Sequence, residues 1–390
     1  MKKDVPLEAI RGFSAIIVVL YHTVLGFSGN LSAIQATPFN FFINGGSAVV
    51  LFFVLSGYVL TRRYFTSYNS DLITRGVLKR WPRLMGPVLV TVLISWILWQ
   101  LGAFHHEEAG ILSGSSWLTN FAAAPDYPFD PTIRKALADG VFLVFIRDDT
   151  NQFDTSLWTM KIELIGSLIS FGLALLLSRL RKSHPFATIL LVGATLVFCH
   201  LTTPYYAAFV CGVLLARWLG DEATISLRVA APALAVALYL LGYSDNPIGA
   251  YGLFAKLPSV SFVYMALAGS LVVIALTQTC EEFRRVLSNR AMGFVGELSF
   301  PLYLIHALVI CSLGADVFIR SQSFAATAVV VVIGSVMAAM PILWFNRRWV
   351  AGVNSLTEWM LATKRARVAT QPISPIEIAE QAAAKPEIAT

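Results

Sequence analysis

The segment LEAIRGFSAIIVVLYHTVLGF, residues 7–27, carries Glu8, Arg11 and His22 inside a run otherwise apolar enough to cross a membrane. A charge at the bilayer centre costs at least about 2.5–3.5 kcal/mol, so these side chains call for a reason. Arg11 and His22 are eleven residues apart, and eleven steps of about 100° return to within roughly 20° of the same helix face. They share one stripe, separated by about 16 Å along the axis at about 1.5 Å per residue. Glu8 precedes Arg11 by three residues, the spacing of a neutralising pair. Two readings stay open: a snorkelling arginine with a hydrogen-bonded core histidine, or a polar track leading from one membrane face to a titratable base. Histidine suits the second role, since an unperturbed pKa of about 6.5 lets it take and return a proton near neutrality.

Four further stretches carry chemistry. FFVLSGYVLTRRYF sets Ser56 and Gly57 among large apolar residues, a pattern for close helix approach, with Ser56 as a direct participant the alternative. KRWPRLMGPVL puts Arg80 and Arg83 three apart, close on one helical face if Pro82 sits in a first turn. Guanidinium forks bind phosphate oxygens bidentately, and anchoring at the basic membrane face explains the same cluster equally well. SLWTMKIELIGSL holds Lys161 and Glu163; a spacing of two puts them on different faces, so they need not pair. A glutamate at membrane depth is a functional candidate, and interfacial anchoring beside Trp158 is the other reading. GELSFPLYLIHALV supplies Glu297 and His306, where hydrogen bonding within the bundle and catalysis are both open for His306.

These residues need helices to position them. Of 390 residues, 56% are hydrophobic and 13% charged, about half the charged fraction of a soluble domain. Apolar runs near the length needed to cross about 30 Å of hydrocarbon recur at 8–28, 46–65, 84–104, 157–178, 187–202, 204–219, 228–243, 258–279, 297–314 and 324–346. The expected fold is therefore all-α, a polytopic membrane bundle of about ten helices. Lys2 and Lys3 make the first span resemble a signal peptide, but its internal Arg11 and the spans behind it argue for a retained helix. With the N-terminus inside, 22 of the 29 Lys and Arg residues lie on the inner side and five on the outer, which places both termini in the cytoplasm. That bias accounts for the net charge of +6 and requires no nucleic-acid partner. Cys199, Cys211, Cys280 and Cys311 form no CxxC pair, and read as packing residues rather than a disulfide framework or metal site.

Two stretches stand apart. Residues 105–156 form the longest non-spanning stretch, placed outside, and a loop of that length is usually functional or partly folded; within it RKALADGVFLVFI is an interfacial or re-entrant helix too short to span. Residues 351–390 read as a disordered cytoplasmic tail, leaving 1–350 as the transmembrane domain. No fixed-period repeat is visible, which weighs against a transporter built from repeated halves.

Taken together, RGFSAIIVVLYH, LFFVLSGYVL, KRWPRL, SLWTMKIE and LSFPLYLIH resemble, in order, the acyltransferase-3 family of integral-membrane O-acyltransferases. The resemblance implies a stand-alone member, without a fused soluble domain, in a bacterial inner membrane. It would move an acyl group, usually acetyl, from acyl-CoA to a hydroxyl of a carbohydrate or glycoconjugate. Acetyl-CoA or another acyl-CoA would be co-substrate, no cofactor would be permanently bound, and membrane lipids would surround the bundle. By the same resemblance His22 is the base or transient acyl carrier, Arg11 its partner, and Arg80 and Arg83 the contacts for CoA phosphates. Glu163 and His306 match motif positions, Glu163 entering as a catalytic candidate; Glu8, Ser56, Lys161 and His306 complete the polar set as substrate-binding or structural groups. Family members often carry aspartate two residues before the FF pair, where this chain has Val50. The competing readings are a permease for an anionic or sugar-containing lipid and a non-catalytic assembly partner.

Overall fold

A computed structural model describes residues 4–28, 31–123, 129–147, 152–180, 184–220 and 223–369. Ten main helices follow the apolar runs: α1 Val5–Phe27, α2 Gly45–Ser67, α3 Ser70–Gln100, α4 Trp158–Arg179, α5 Pro185–Thr202, α6 Tyr205–Trp218, α7 Leu227–Gly242, α8 Ser261–Thr279, α9 Arg290–Val309 and α10 Phe324–Ala369. Among the described residues there is no strand. Eight helical segments are long and apolar enough to cross a membrane, while α6 and α7 are shorter apolar helices. The protein is thus an all-α polytopic bundle of the integral-membrane kind.

The core gathers round α2, which packs against α1, α4, α6 and α8. Its tightest crossing is with α6. A Cβ on Gly57 would stand 2.2 Å from the Phe209 carbonyl oxygen, and one on Gly212 would stand 2.2 Å from that of Val54. Only hydrogen fits between these two backbones, which run parallel from Phe53 beside Tyr205 to Phe65 beside Arg217, and this is the close approach that Ser56–Gly57 predicts. The crossing of α1 with α9 repeats the device. A Cβ on Gly12 would lie 2.7 Å from the Val295 oxygen, and one on Gly296 would lie 2.5 Å from the Glu8 oxygen. Further along both chains His22 meets His306, so α1 and α9 run parallel and in register.

Two expectations change. Pro82 lies well inside α3, which begins at Ser70, rather than in a first turn; the Trp349 indole donates to its carbonyl at 2.7 Å. The boundary drawn at residue 350 falls within α10. There Val353 and Thr357 are buried, and Glu358 pairs with Arg75 at 2.7 Å and Lys79 at 3.5 Å on α3, so residues just past 350 form packed helix. Residues 370–390 of the expected disordered tail lie outside the described residues. The helix Ile133–Val141 of the long loop runs beside α3, as the re-entrant one of its two expected placements requires. Gln100 donates to the Pro131 carbonyl at 2.9 Å and Trp81 to that of Val141 at 3.2 Å. The chain is back beside Ser95 by Phe153, completing a hairpin along α3.

Overpacking of this kind costs about 1–3 kcal/mol. Gly296→Ala and Gly212→Ala should each lower the thermal unfolding midpoint in detergent, with Gly296→Ala also reducing activity by separating α1 from α9. Gly172→Ala, where nothing stands within 4 Å of the new Cβ, should leave the midpoint unchanged or slightly raised.

Candidate active site

A cavity of about 450 Å³ opens at the arginine-rich end of the bundle, between α1, α2, α3, α4, α9 and α10. Four arginines line it, namely Arg11, Arg80, Arg83 and Arg347, against three carboxylates, Glu8, Glu163 and Glu297. Each carboxylate takes one arginine. Arg11 Nη1 donates to both Glu8 oxygens at 2.9 Å, so the predicted neutralising pair forms. Arg80 binds Glu163, which also accepts from Ser56 Oγ at 2.7 Å, and Arg80 Nε donates to Ser167 Oγ at 2.6 Å. Arg347 binds Glu297. Arg83 is left over: among the described residues it makes no ion pair, and it is exposed at the cavity. It stands within electrostatic reach of Arg80, Arg11 and Glu8. A guanidinium that keeps its fork open beside paired neighbours suits an anionic ligand.

The apolar end of the cavity is walled by Phe52, Phe53, Thr159, Met160 and Tyr303. The Tyr303 hydroxyl donates to the Ser156 carbonyl at 2.8 Å and lies 2.9 Å from Thr159 Oγ1. One turn further along α9 is His306, fully buried, its ring 5.7 Å from that of Tyr303.

The two histidines form a directed pair. His306 Nδ1 lies 2.6 Å from the Tyr303 carbonyl oxygen and its Nε2 lies 3.1 Å from His22 Nδ1. A carbonyl can only accept, so His306 carries its proton on Nδ1, and in the neutral ring Nε2 must accept. His22 therefore carries its own proton on Nδ1, shared with the Val18 carbonyl at 3.1 Å. The open lone pair of His22 is on Nε2, which makes no hydrogen bond among the described residues. Trp117, from the short helix Ser116–Thr119, covers the His22 ring at 4.9 Å, with Tyr21 edge-on at 5.0 Å.

The partner of His22 is thus His306 rather than Arg11, which sits about eleven residues nearer the basic end with Glu8. Nor does Glu163 approach His22; it lines the basic cavity with Arg80. Of the polar residues expected to form a track along α1, Glu8 and Arg11 line this cavity and His22 does not. Lys161 turns to another face of α4 and is absent from that lining. Val50 is fully buried in the apolar core, where a carboxylate would lack water. Tyr303 and Trp117 were not legible as site residues, since an aromatic ring in an apolar or loop segment has no distinguishing pattern.

Asp154, just before α4, is fully buried. Its Oδ1 accepts from the Ser156 amide at 2.8 Å and hydroxyl at 2.7 Å, while Oδ2 has no hydrogen bond among the described residues. Burial pushes this carboxyl up to about 7.

Residues 5–344 match the acyltransferase-3 family model, described as an acyltransferase domain. The O-acetyltransferase PaAT-1 of Phomopsis amygdali is 24% identical over 365 residues, covering 79% of this chain and 72% of its own. No solved structure matches the chain.

Two outcomes follow from this geometry. Glu163→Gln, which removes the charge opposing half-buried Arg80, should lower stability by about 1–3 kcal/mol, seen as a reduced unfolding midpoint. Between the ordinary value of 3.8 and about 7, the folded chain holds a proton on Asp154 that the unfolded chain releases, so this residue's contribution to stability falls as pH rises through that window. Asp154→Asn should flatten that slope and unfold at a higher temperature than wild type at pH 8.

Proposed function

The chain belongs to the acyltransferase-3 family and is a membrane O-acyltransferase; from that premise we propose that it takes acetyl from acetyl-CoA on the basic side and delivers it to a carbohydrate or glycoconjugate hydroxyl at His22. The observation that carries this reading is the division of the site into an arginine-lined cavity at one end and a histidine with an open nitrogen at the other. The basic end is the cytosolic one by the distribution of Lys and Arg, which is where acyl-CoA is available.

In this scheme Arg83 meets the donor phosphates first, because its neighbours Arg11, Arg80 and Arg347 are already held by carboxylates. The apolar far wall receives the pantetheine arm, and the thioester reaches His22 past the Tyr303 ring. His22 Nε2 accepts the proton of the acceptor hydroxyl as its oxygen attacks the thioester carbonyl. The tetrahedral adduct then collapses, the C–S bond breaks, and the departing sulfur takes the proton back from Nε2. His306 acts through His22. By accepting from Nδ1–H it keeps the reactive lone pair on Nε2 and supports the positive charge that the ring gains. Trp117 offers a flat apolar surface beside the base, which suits the face of a sugar ring.

With membranes containing the protein and labelled acetyl-CoA, His22→Ala should reduce transfer by about 10²–10⁴-fold while expression and insertion are unchanged. Arg83→Ala should raise KM for acetyl-CoA with little change in kcat. Transfer retained by His22→Ala, or surface glycans with an unaltered acetyl content in cells lacking the protein, would count against the scheme.

A further inference from the structure

A second cavity, of about 300 Å³, opens at the same basic end, beside the first turns of α1 and α9. It shares Glu8, Glu297 and Arg347 with the larger cavity, so one wall is continuous between them. It adds Arg290 and Phe294. The shared carboxylates are engaged, Glu8 with Arg11 and Glu297 with Arg347. Arg290 is exposed and makes no ion pair among the described residues, and one turn away the Phe294 side chain is 42% exposed. An open guanidinium fork matches a phosphate monoester, and an exposed aromatic face matches a purine base by stacking. The two side by side, on a wall leading to Arg83, have the chemistry of a phosphorylated nucleoside joined to a longer ligand.

We propose that this smaller cavity is where the nucleotide end of an acyl-CoA docks, with adenine on Phe294 and the ribose 3′-phosphate on Arg290, while the pyrophosphate lies on Arg83 in the adjoining cavity. The inference rests on the acyl-CoA reading of the larger cavity and extends it. It assigns donor selectivity to α9 rather than to α3: the larger cavity serves any thioester with a pyrophosphate, and the smaller one distinguishes a donor that carries the extra phosphate.

The test compares CoA and 3′-dephospho-CoA by calorimetric titration of the full-length protein in phosphatidylcholine nanodiscs. Wild type should bind CoA about tenfold more tightly than the dephospho form, the size expected of one charge-assisted contact. Arg290→Gln should weaken CoA by that factor and leave 3′-dephospho-CoA unchanged, Arg290→Lys should restore part of the difference, and Phe294→Ala should weaken both. A preference for CoA that survives Arg290→Gln overturns the subsite while leaving the larger-cavity reading intact. Loss of phosphatidic acid binding in Arg290→Gln, with the CoA preference preserved, also overturns it by assigning the arginine to lipid. Wild type that binds neither nucleotide overturns both readings together. Because both side chains are exposed, the variants should keep the wild-type unfolding midpoint.

Discussion

The arrangement of the site depends on how closely α1 and α9 can approach. Gly12 and Gly296 leave no room for a Cβ between the two backbones, and the parallel run that follows brings two imidazoles to 3.1 Å. Each histidine keeps its proton on Nδ1 against a backbone carbonyl, that of Tyr303 for His306 and that of Val18 for His22. Together with the Tyr303 carbonyl they form a one-way chain of donors in which each proton position follows from the one before. The open nitrogen of His22 is therefore positioned by packing some 15 Å away along the helices, with no ion pair to either histidine among the described residues.

Charge is handled by the same logic of enforced partners. An arginine drawn toward a low-dielectric bundle needs a carboxylate or a ligand, and three of the four cavity arginines have carboxylates supplied by α1, α4 and α9. Two of those pairs, Arg80 with Glu163 and Arg347 with Glu297, tie neighbouring helices together around the cavity, and the fourth cation is left for whatever enters. Ser56 and Ser167 complete the shell round Glu163 and Arg80, so the Ser56–Gly57 step serves packing on one side of α2 and polar positioning on the other.

Much of this is legible in the chain because membrane insertion makes polarity conspicuous. Arg11, His22, Arg80 and Arg83 stand out as charges or potential charges in apolar surroundings, and the helices themselves announce their length. What could not be read is pairing over distance. His306 was visible as a candidate, yet its contact with His22 spans 284 residues and no local spacing encodes it. Glu163 was visible too, but its assignment to Arg80 depends on how α3 and α4 lie together. The C-terminal part of α10 was misread as tail because its stabilising contacts, Val353 and Thr357 inward and Glu358 toward Arg75, are few and separated by polar residues.

One feature has reach beyond the chemistry. A membrane protein with a polar cavity open at one end risks becoming a leak, since any water-filled passage through it would dissipate ion gradients. The ring of Tyr303, braced by Thr159 and the Ser156 carbonyl and facing Phe52 at 6.0 Å, stands between the arginine-lined cavity and the imidazole pair. A cavity that ends on a braced aromatic ring offers ions no open path along this line of side chains.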